Sequence, residues 1–247
     1  MPGRDEIEAV LFDWDGTLAD SLADFLAANE AVMRALGVPF DAATYRRVYT
    51  PDWRVVYRRL GVSDDRLDEA NALWHEHFDL RSPGTLTLPG VPESLARLAA
   101  AGLRLGVVTA GDRSVVEPLI GSTGLDDLLE VRVYVGDSPK IKPDPAPLRL
   151  ALERLGIAAR PGAAFYLGDA PDDMRMALAA GVHAVGVASL IGEPDELRAA
   201  GAETIVASVA EWVAGWLDAR TASATPARPE AAERVEPADR PASAEAD

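Results

Sequence analysis

Two short acidic motifs stand out for the chemistry they could support. The first, Phe12-Asp13-Trp14-Asp15-Gly16-Thr17, follows an apolar run from Ala9 to Phe12. In extended chain, positions two apart point the same way, so Asp13 and Asp15 can face one site. Neighbouring carboxylates are costly unless a cation or a shared proton separates them, and Gly16 lets the backbone turn away just afterwards. The second motif, Gly168-Asp169-Ala170-Pro171-Asp172-Asp173, follows another apolar run. Asp169 would end a strand, and Asp173, four residues on, would start a helix and point back to the same edge. Acids at helix starts often serve only as caps or dipole partners, so the weight of this motif comes from sharing an edge with the first. Together the two make an oxygen-only site suited to Mg²⁺, a hard cation that favours carboxylates and water.

A phosphoryl site also needs positive charge and donors. Val108-Thr109-Ala110-Gly111 offers a hydroxyl and turn amides. Ser138-Pro139-Lys140-Ile141-Lys142-Pro143-Asp144-Pro145 offers ammonium groups ahead of a helix. Singly these are weak, since a strand-end Thr is usually buried structure and a loop Lys usually solvated. Lys140 and Lys142 are nonetheless the only two lysines in a chain whose other cations are Arg.

Such groups need a frame that brings strand ends together. Runs rich in Val, Ile, Leu and Ala at Ala9 to Phe12, Leu103 to Thr109, Val131 to Val135, Ala164 to Leu167 and Ala184 to Ala188 read as buried parallel strands. Helical segments lie between the later ones: Pro92 opens one and Gly102 closes it, while Leu148, Leu152 and Leu155 line a face before Gly156. This βαβα pattern predicts an α/β, doubly wound parallel sheet with ligands at the carboxyl ends of its strands. The first two strands are too far apart in sequence for a simple crossover. Residues 20–89 between them read as a small helical cap domain, beginning with Leu22, Phe25, Leu26, Met33 and Leu36 on one face behind an Asp20 or Ser21 cap. Residues 1–19 and 90–220 then form the α/β core. A last helix carries Val209, Trp212, Val213, Trp216 and Leu217, with Ser208 and Glu211 at capping-box spacing. The remaining residues, 221–247, are Ala, Pro and charge with little to bury, and are read as a disordered tail.

Composition narrows the partners. The 247 residues are 48% hydrophobic and 26% charged, enough to bury a core. A net charge of -16 opposes nucleic acid and anionic membranes. The chain has no cysteine, which removes disulfides, thiolate metal sites and a Cys nucleophile. Neither a signal-peptide pattern nor a spanning apolar run occurs, so a cytoplasmic location is the default expectation. Gly-x-x-x-x-Gly-Lys, Gly-x-Ser-x-Gly and His-Glu-x-x-His are also missing, leaving ATP-dependent transfer, serine hydrolysis and zinc proteolysis without support.

The ordered motifs resemble the haloacid dehalogenase superfamily, in its phosphoglycolate-phosphatase-like branch with a helical cap. The resemblance spans residues 7 to 218: Asp13 to Thr17 match the first motif, Thr109 the second, Lys142 in Lys-Pro-Asp-Pro the third, and Gly168-Asp169 through Asp173 the fourth. It implies strand order 5-4-1-2-3, an essential Mg²⁺ and an aspartyl-phosphate intermediate. By that resemblance Asp13 is the nucleophile and Asp15 the general acid and base. Asp13, the main-chain carbonyl of Asp15, and Asp169 would hold Mg²⁺, with Asp173 orienting that shell and Gly16 and Gly168 supporting it. Thr109, Ala110 and Lys142 would meet the phosphoryl group, although many relatives have Asn where this chain has Ala110. An acid at the Asp15 position marks phosphoryl-transfer members rather than dehalogenases.

The implied function is hydrolysis of a small phosphorylated metabolite, with phosphoglycolate or a sugar phosphate as candidates, by a monomer or weak homodimer. A phosphomutase of the β-phosphoglucomutase type, or a non-catalytic binding protein on the same fold, are the alternatives. Within the cap, Arg46, Arg47, Arg54, Arg58 and Arg59 read as a solvated face, with contact to a second anionic group on the substrate as the alternative. Tyr45, Tyr49, Trp53 and Tyr57 read as cap packing, interrupted by Thr50-Pro51. His75, His77 and His183 receive no role.

Overall fold

The computed structural model describes residues 6–79 and 86–224. Six strands form one wholly parallel sheet: β1 (Ala9–Phe12), β2 (Arg104–Val108), β3 (Val131–Val133), β4 (Ala164–Gly168), β5 (His183–Val187) and β6 (Thr204–Val206). Their order is β3-β2-β1-β4-β5-β6. This is the expected order with one strand added at the edge. The added β6 is three residues long and only half-buried, too short to show a period.

Strand side chains alternate between two apolar layers, as a pleated sheet covered on both faces requires. Val10 and Phe12 join Leu105, Val107, Phe165, Leu167, Val185 and Val187 on one face. That face is covered by α5 (Val91–Ala100), through Leu95 and Leu98, and by α10 (Val209–Ala224), through Trp212, Val213 and Trp216. Ala9 and Leu11 point the other way, to Leu148 and Leu152 of α7 (Ala146–Arg154) and Met174 and Ala177 of α8 (Pro171–Ala180). Each buried Leu or Phe contributes about 1.5–3 kcal/mol relative to exposure. Helix α6 (Arg113–Thr123) joins the first layer through Val116 and Ile120, and short α9 (Pro194–Ala199) the second through Leu197. Pro92 lies in the first turn of α5 and Gly102 beyond its end at φ +83°, as the sequence predicts.

Between β1 and β2 come α1 (Leu22–Leu36), α2 (Ala42–Val48), α3 (Trp53–Leu60), a 3₁₀ turn (Asp64–Arg66) and α4 (Leu67–Asp79). They share a third apolar cluster of Val32, Met33, Tyr45, Val56, Tyr57, Leu67 and Ala70, which also takes in Ala170 and Ile191 from beyond the sheet edge. The chain enters and leaves this insertion as a narrow ribbon. Asp20 N–H donates to the Leu86 carbonyl, and Leu88 N–H to the Leu18 carbonyl, each at 2.9 Å, while Ala19 bridges Thr87 antiparallel.

At the end of the fold, Ser208 Oγ accepts from Glu211 N–H at 3.1 Å, and Glu211 accepts in turn from Ala207 N–H at 2.7 Å. This reciprocal arrangement starts α10 where the sequence predicts it. The helix continues to Ala224, four residues into the span read as a structureless tail. Residues 225–247 of that span lie outside the described residues.

Candidate active site

The site lies at the carboxyl ends of β1, β2 and β4. Asp13 N–H donates to the Leu167 carbonyl at 2.8 Å, which keeps Asp13 in the ladder with its carboxylate at the rim. The chain then turns at Gly16, whose φ is +70°. A Cβ there would stand 2.4 Å from Asp169 Oδ2 and 2.9 Å from Leu22 Cδ1, so both backbone conformation and space require glycine. The turn brings Asp15 back over the edge, where Ser21 Oγ donates to Asp15 Oδ1 at 2.5 Å. Ser21 precedes α1 as expected, but its hydroxyl holds Asp15 instead of capping a helix amide.

Across the edge, Asp169 follows β4 and accepts from Ser189 Oγ at 2.7 Å. Asp173, in the first turn of α8, accepts from Ala170 N–H at 3.0 Å and Tyr166 Oη at 3.2 Å. Gly168 has no room for a side chain, because a Cβ would meet Asp173 within 2.5 Å. Lys142 bridges the two halves. Its Nζ lies 2.7 Å from Asp13 Oδ1 and 2.8 Å from Asp173 Oδ1, and it is 5% exposed, so it is not the solvated loop lysine that composition alone would suggest. Thr109 Oγ1 accepts from Gly111 N–H at 2.9 Å, which fixes the turn after β2 and leaves the hydroxyl proton available. Ala110 lines the cavity beside it.

Electrostatically the edge is over-supplied with acid. Asp13 is pushed up to about 7, chiefly by burial, against the pull of Lys142 and with further upward pressure from Asp173 and Asp15. Burial, Asp13 and Asp173 hold Asp169 well above the usual carboxylate range. Asp15 is also raised by burial, against its bonds to Ser21 and the charge of Lys142. Burial works against the Lys142 ammonium, but Asp13 and Asp173 more than reverse it and raise its pKa. Asp13, Asp169 and Asp173 each place a carboxylate oxygen within 4.8 Å of the others. Four acids around one ammonium, all offering oxygen, form a donor set that fits a hard divalent cation. The Asp15 side chain is not in that cluster, which is compatible with the expectation that its main-chain carbonyl serves instead.

The structure brings Asp13, Asp15, Thr109, Ala110, Lys142 and Asp173 to one cavity, closed on its far side by the inserted helices. Tyr45, Tyr49, Trp53 and Tyr57 line it as well as packing the insertion. They do not share a single helix: α2 ends at Val48, Tyr49 is extended, and Asp52 caps α3 by accepting from Arg54 N–H. None of the five arginines lines the cavity. Arg46 pairs with Glu193 and Glu196, Arg47 donates to Thr44, Arg58 pairs with Asp64, Arg59 donates to the Val48 carbonyl, and Arg54 lies over Trp53 at 4.4 Å. Lys140 remains outside the cavity. Ser21, Tyr166 and Ser189, which hold the acids in place, were not singled out for chemistry from sequence. A signal existed for Ser189, a polar residue just past a buried strand at the ligand-bearing edge.

The chain has known relatives. Residues 10–187 match the family model of the haloacid dehalogenase-like hydrolases. A plasmid-borne phosphoglycolate phosphatase of Cupriavidus necator is 36% identical over 229 residues, covering 89% of this chain and 94% of the relative. The N-acetylmuramic acid 6-phosphate phosphatase of Pseudomonas aeruginosa is 35% identical over 190 residues, covering 74% and 83%. A crystal structure from Bacteroides fragilis, assigned to the haloacid dehalogenase-like hydrolases, superposes with a TM-score of 0.77 at 26% identity, covering 83% of this chain and 99% of that one. The chain belongs to the haloacid dehalogenase-like hydrolase family and is an enzyme of that class.

Proposed function

We propose that the protein is a Mg²⁺-dependent phosphatase that hydrolyses a small-molecule phosphomonoester, with residues 20–89 acting as a cap over the site. The observation that carries this reading is the set of buried carboxylates Asp13, Asp169 and Asp173, with half-buried Asp15 beside them, around the single ammonium of Lys142. Asp13, the main-chain carbonyl of Asp15, and Asp169 would hold the ion, with Asp173 fixing Lys142 beside them. Bound there, Mg²⁺ supplies the positive charge that lets a carboxylate approach a phosphate dianion. The named relatives, both phosphatases of small phosphorylated compounds, support the same class.

In this reading an Asp13 oxygen attacks phosphorus, the bond to the leaving alcohol breaks, and Asp15 gives that oxygen its proton. Burial raises the Asp15 carboxyl, the direction that favours a group serving as a proton donor. Asp15 then takes a proton from water, which attacks the aspartyl-phosphate and frees inorganic phosphate and Asp13. Lys142 and the Thr109 hydroxyl steady the transferring oxygens. The test is phosphate release from a panel of phosphomonoesters, with and without Mg²⁺, by the wild type and Asp13→Asn. The expected outcome is turnover that needs Mg²⁺ and disappears in the variant; turnover that survives Asp13→Asn removes the covalent mechanism.

A further inference from the structure

The wall of the cavity opposite the carboxylates has its own chemistry. Tyr45, Tyr49, Trp53, Tyr57, Asn71 and Trp74 form much of it, so aromatic faces alternate with uncharged hydroxyl and amide groups. The Tyr57 hydroxyl is already committed to Asn29 Oδ1 at 2.8 Å. No bond to another described residue engages the Tyr45 or Tyr49 hydroxyl. Both tyrosines line the same cavity as Asp13, Asp15 and Asp173. Among the described residues the only basic side chain on this wall is His75, edge-on to Trp74 at 5.2 Å. Arg46, Arg58 and Arg59 are engaged elsewhere, and Arg54 borders an adjoining groove.

Ring faces pack against the C–H faces of a sugar, and phenol hydroxyls and amides bond its hydroxyls. A carboxylate in the same place would face Asp13, Asp15 and Asp173 across the cavity, with no arginine among the lining residues to receive it. We propose that the substrate is neutral beyond its phosphate and polyhydroxylated, a sugar or polyol phosphate instead of a phosphorylated carboxylic acid, with Tyr45 and Tyr49 as specificity-determining residues. This deepens the phosphatase reading and rests on it.

The test uses the full chain with Mg²⁺ and measures phosphate release from glucose 6-phosphate, 6-phosphogluconate, phosphoglycolate and phenyl phosphate. The expected kcat/KM is at least about tenfold higher for glucose 6-phosphate than for either acid, equivalent to roughly 1.4 kcal/mol. Equal or greater activity on phosphoglycolate or 6-phosphogluconate overturns the charge argument, and preference for phenyl phosphate overturns the hydroxyl argument. Tyr49→Phe should lower the ratio of sugar to phenyl phosphate kcat/KM by about fivefold, as loss of one neutral hydrogen bond would; an unchanged ratio removes Tyr49 from recognition. Calorimetric binding to Asp13→Asn separates the two readings. Absence of all turnover by the wild type, with tighter binding of glucose 6-phosphate than of phosphoglycolate to the variant, sinks the phosphatase reading and keeps the specificity. Turnover with no preference in either measurement does the reverse.

Discussion

At the scale of single residues, the site keeps charges where folding alone would not put them. Asp13 and Asp169 are buried and repel each other, and among the described residues Lys142 is the cation that offsets them. Replacing Asp169 by Asn removes one uncompensated buried charge, so the metal-free variant should melt about 2–4 °C higher, as a gain of roughly 1 kcal/mol does in a domain of this size. Added Mg²⁺ should raise the melting temperature of the wild type and leave the variant unmoved, because only a protein that binds the ion is stabilised by it. Calorimetric scans with and without MgCl₂ check both; a destabilised Asp169→Asn would show that the carboxylates are balanced already. Gly16 makes an opposite case. Gly16→Ala puts a methyl against the Asp169 carboxylate at positive φ, and the backbone term alone costs about 1–2 kcal/mol. Activity should fall at least about tenfold further than the lost stability explains, since the clash displaces an acid of the site. Asp13, Asp15, Asp169 and Asp173 were legible in sequence because carboxylates next to buried strands are costly enough to signal use. Ser21 and Ser189 were less so, because a serine beside a helix or strand end has many local partners and only the fold selects one.

At the scale of elements, the contact that matters beyond the sheet is between the insertion and the core. Arg46 of α2 reaches Glu193 and Glu196 at the start of α9, the second at 2.8 Å, although its Nε is buried without a partner. The neighbouring loop puts Ile191 into the apolar cluster of the inserted helices and Ser189 onto Asp169. Half-exposed pairs of this kind are worth at most about 1 kcal/mol each. Arg46→Ala should therefore leave melting nearly unchanged, yet raise KM about fivefold by loosening the inserted helices where they border the site. An unchanged KM would reduce the pair to surface decoration. The strand runs and the breaks at Pro92 and Gly102 could be read from sequence because parallel strands lose polar alternation and helix ends follow backbone rules. Strand β6 could not, since three half-buried residues carry no period, and its place is set by pairing with β5. The aromatic spacing at Tyr45, Tyr49, Trp53 and Tyr57 was visible, but the break after Val48 divides the apparent stripe between two helices and the link that joins them, all lining one cavity.

At the scale of the whole molecule, acidity sets the response to pH. Away from the site, some acids are held by donors: Glu117 accepts from Tyr134 and Arg132 and lies below its ordinary 4.5, first through the Tyr134 bond and then through Arg132. Glu130 is lowered in the same way by Arg104. A carboxylate whose folded pKa is depressed stabilises the fold above its unfolded pKa and loses that contribution as pH falls through the folded value. The difference in melting temperature between wild type and Glu117→Gln should thus be constant above about pH 5 and shrink below about pH 4, read from scans across that range; a gap that widens in acid would reverse the sign assigned to Glu117. The paired ribbon at Asp20–Leu86 and Leu18–Leu88 has a different kind of consequence. Because the helical insertion leaves the chain beside the point where it enters, the span between those hydrogen bonds is a cassette. A relative's cassette could be spliced onto the same ribbon without moving Asp13, Asp15, Asp169 or Asp173, so on the proposed function a chimera should exchange leaving-group preference while the phosphoryl chemistry stays in place.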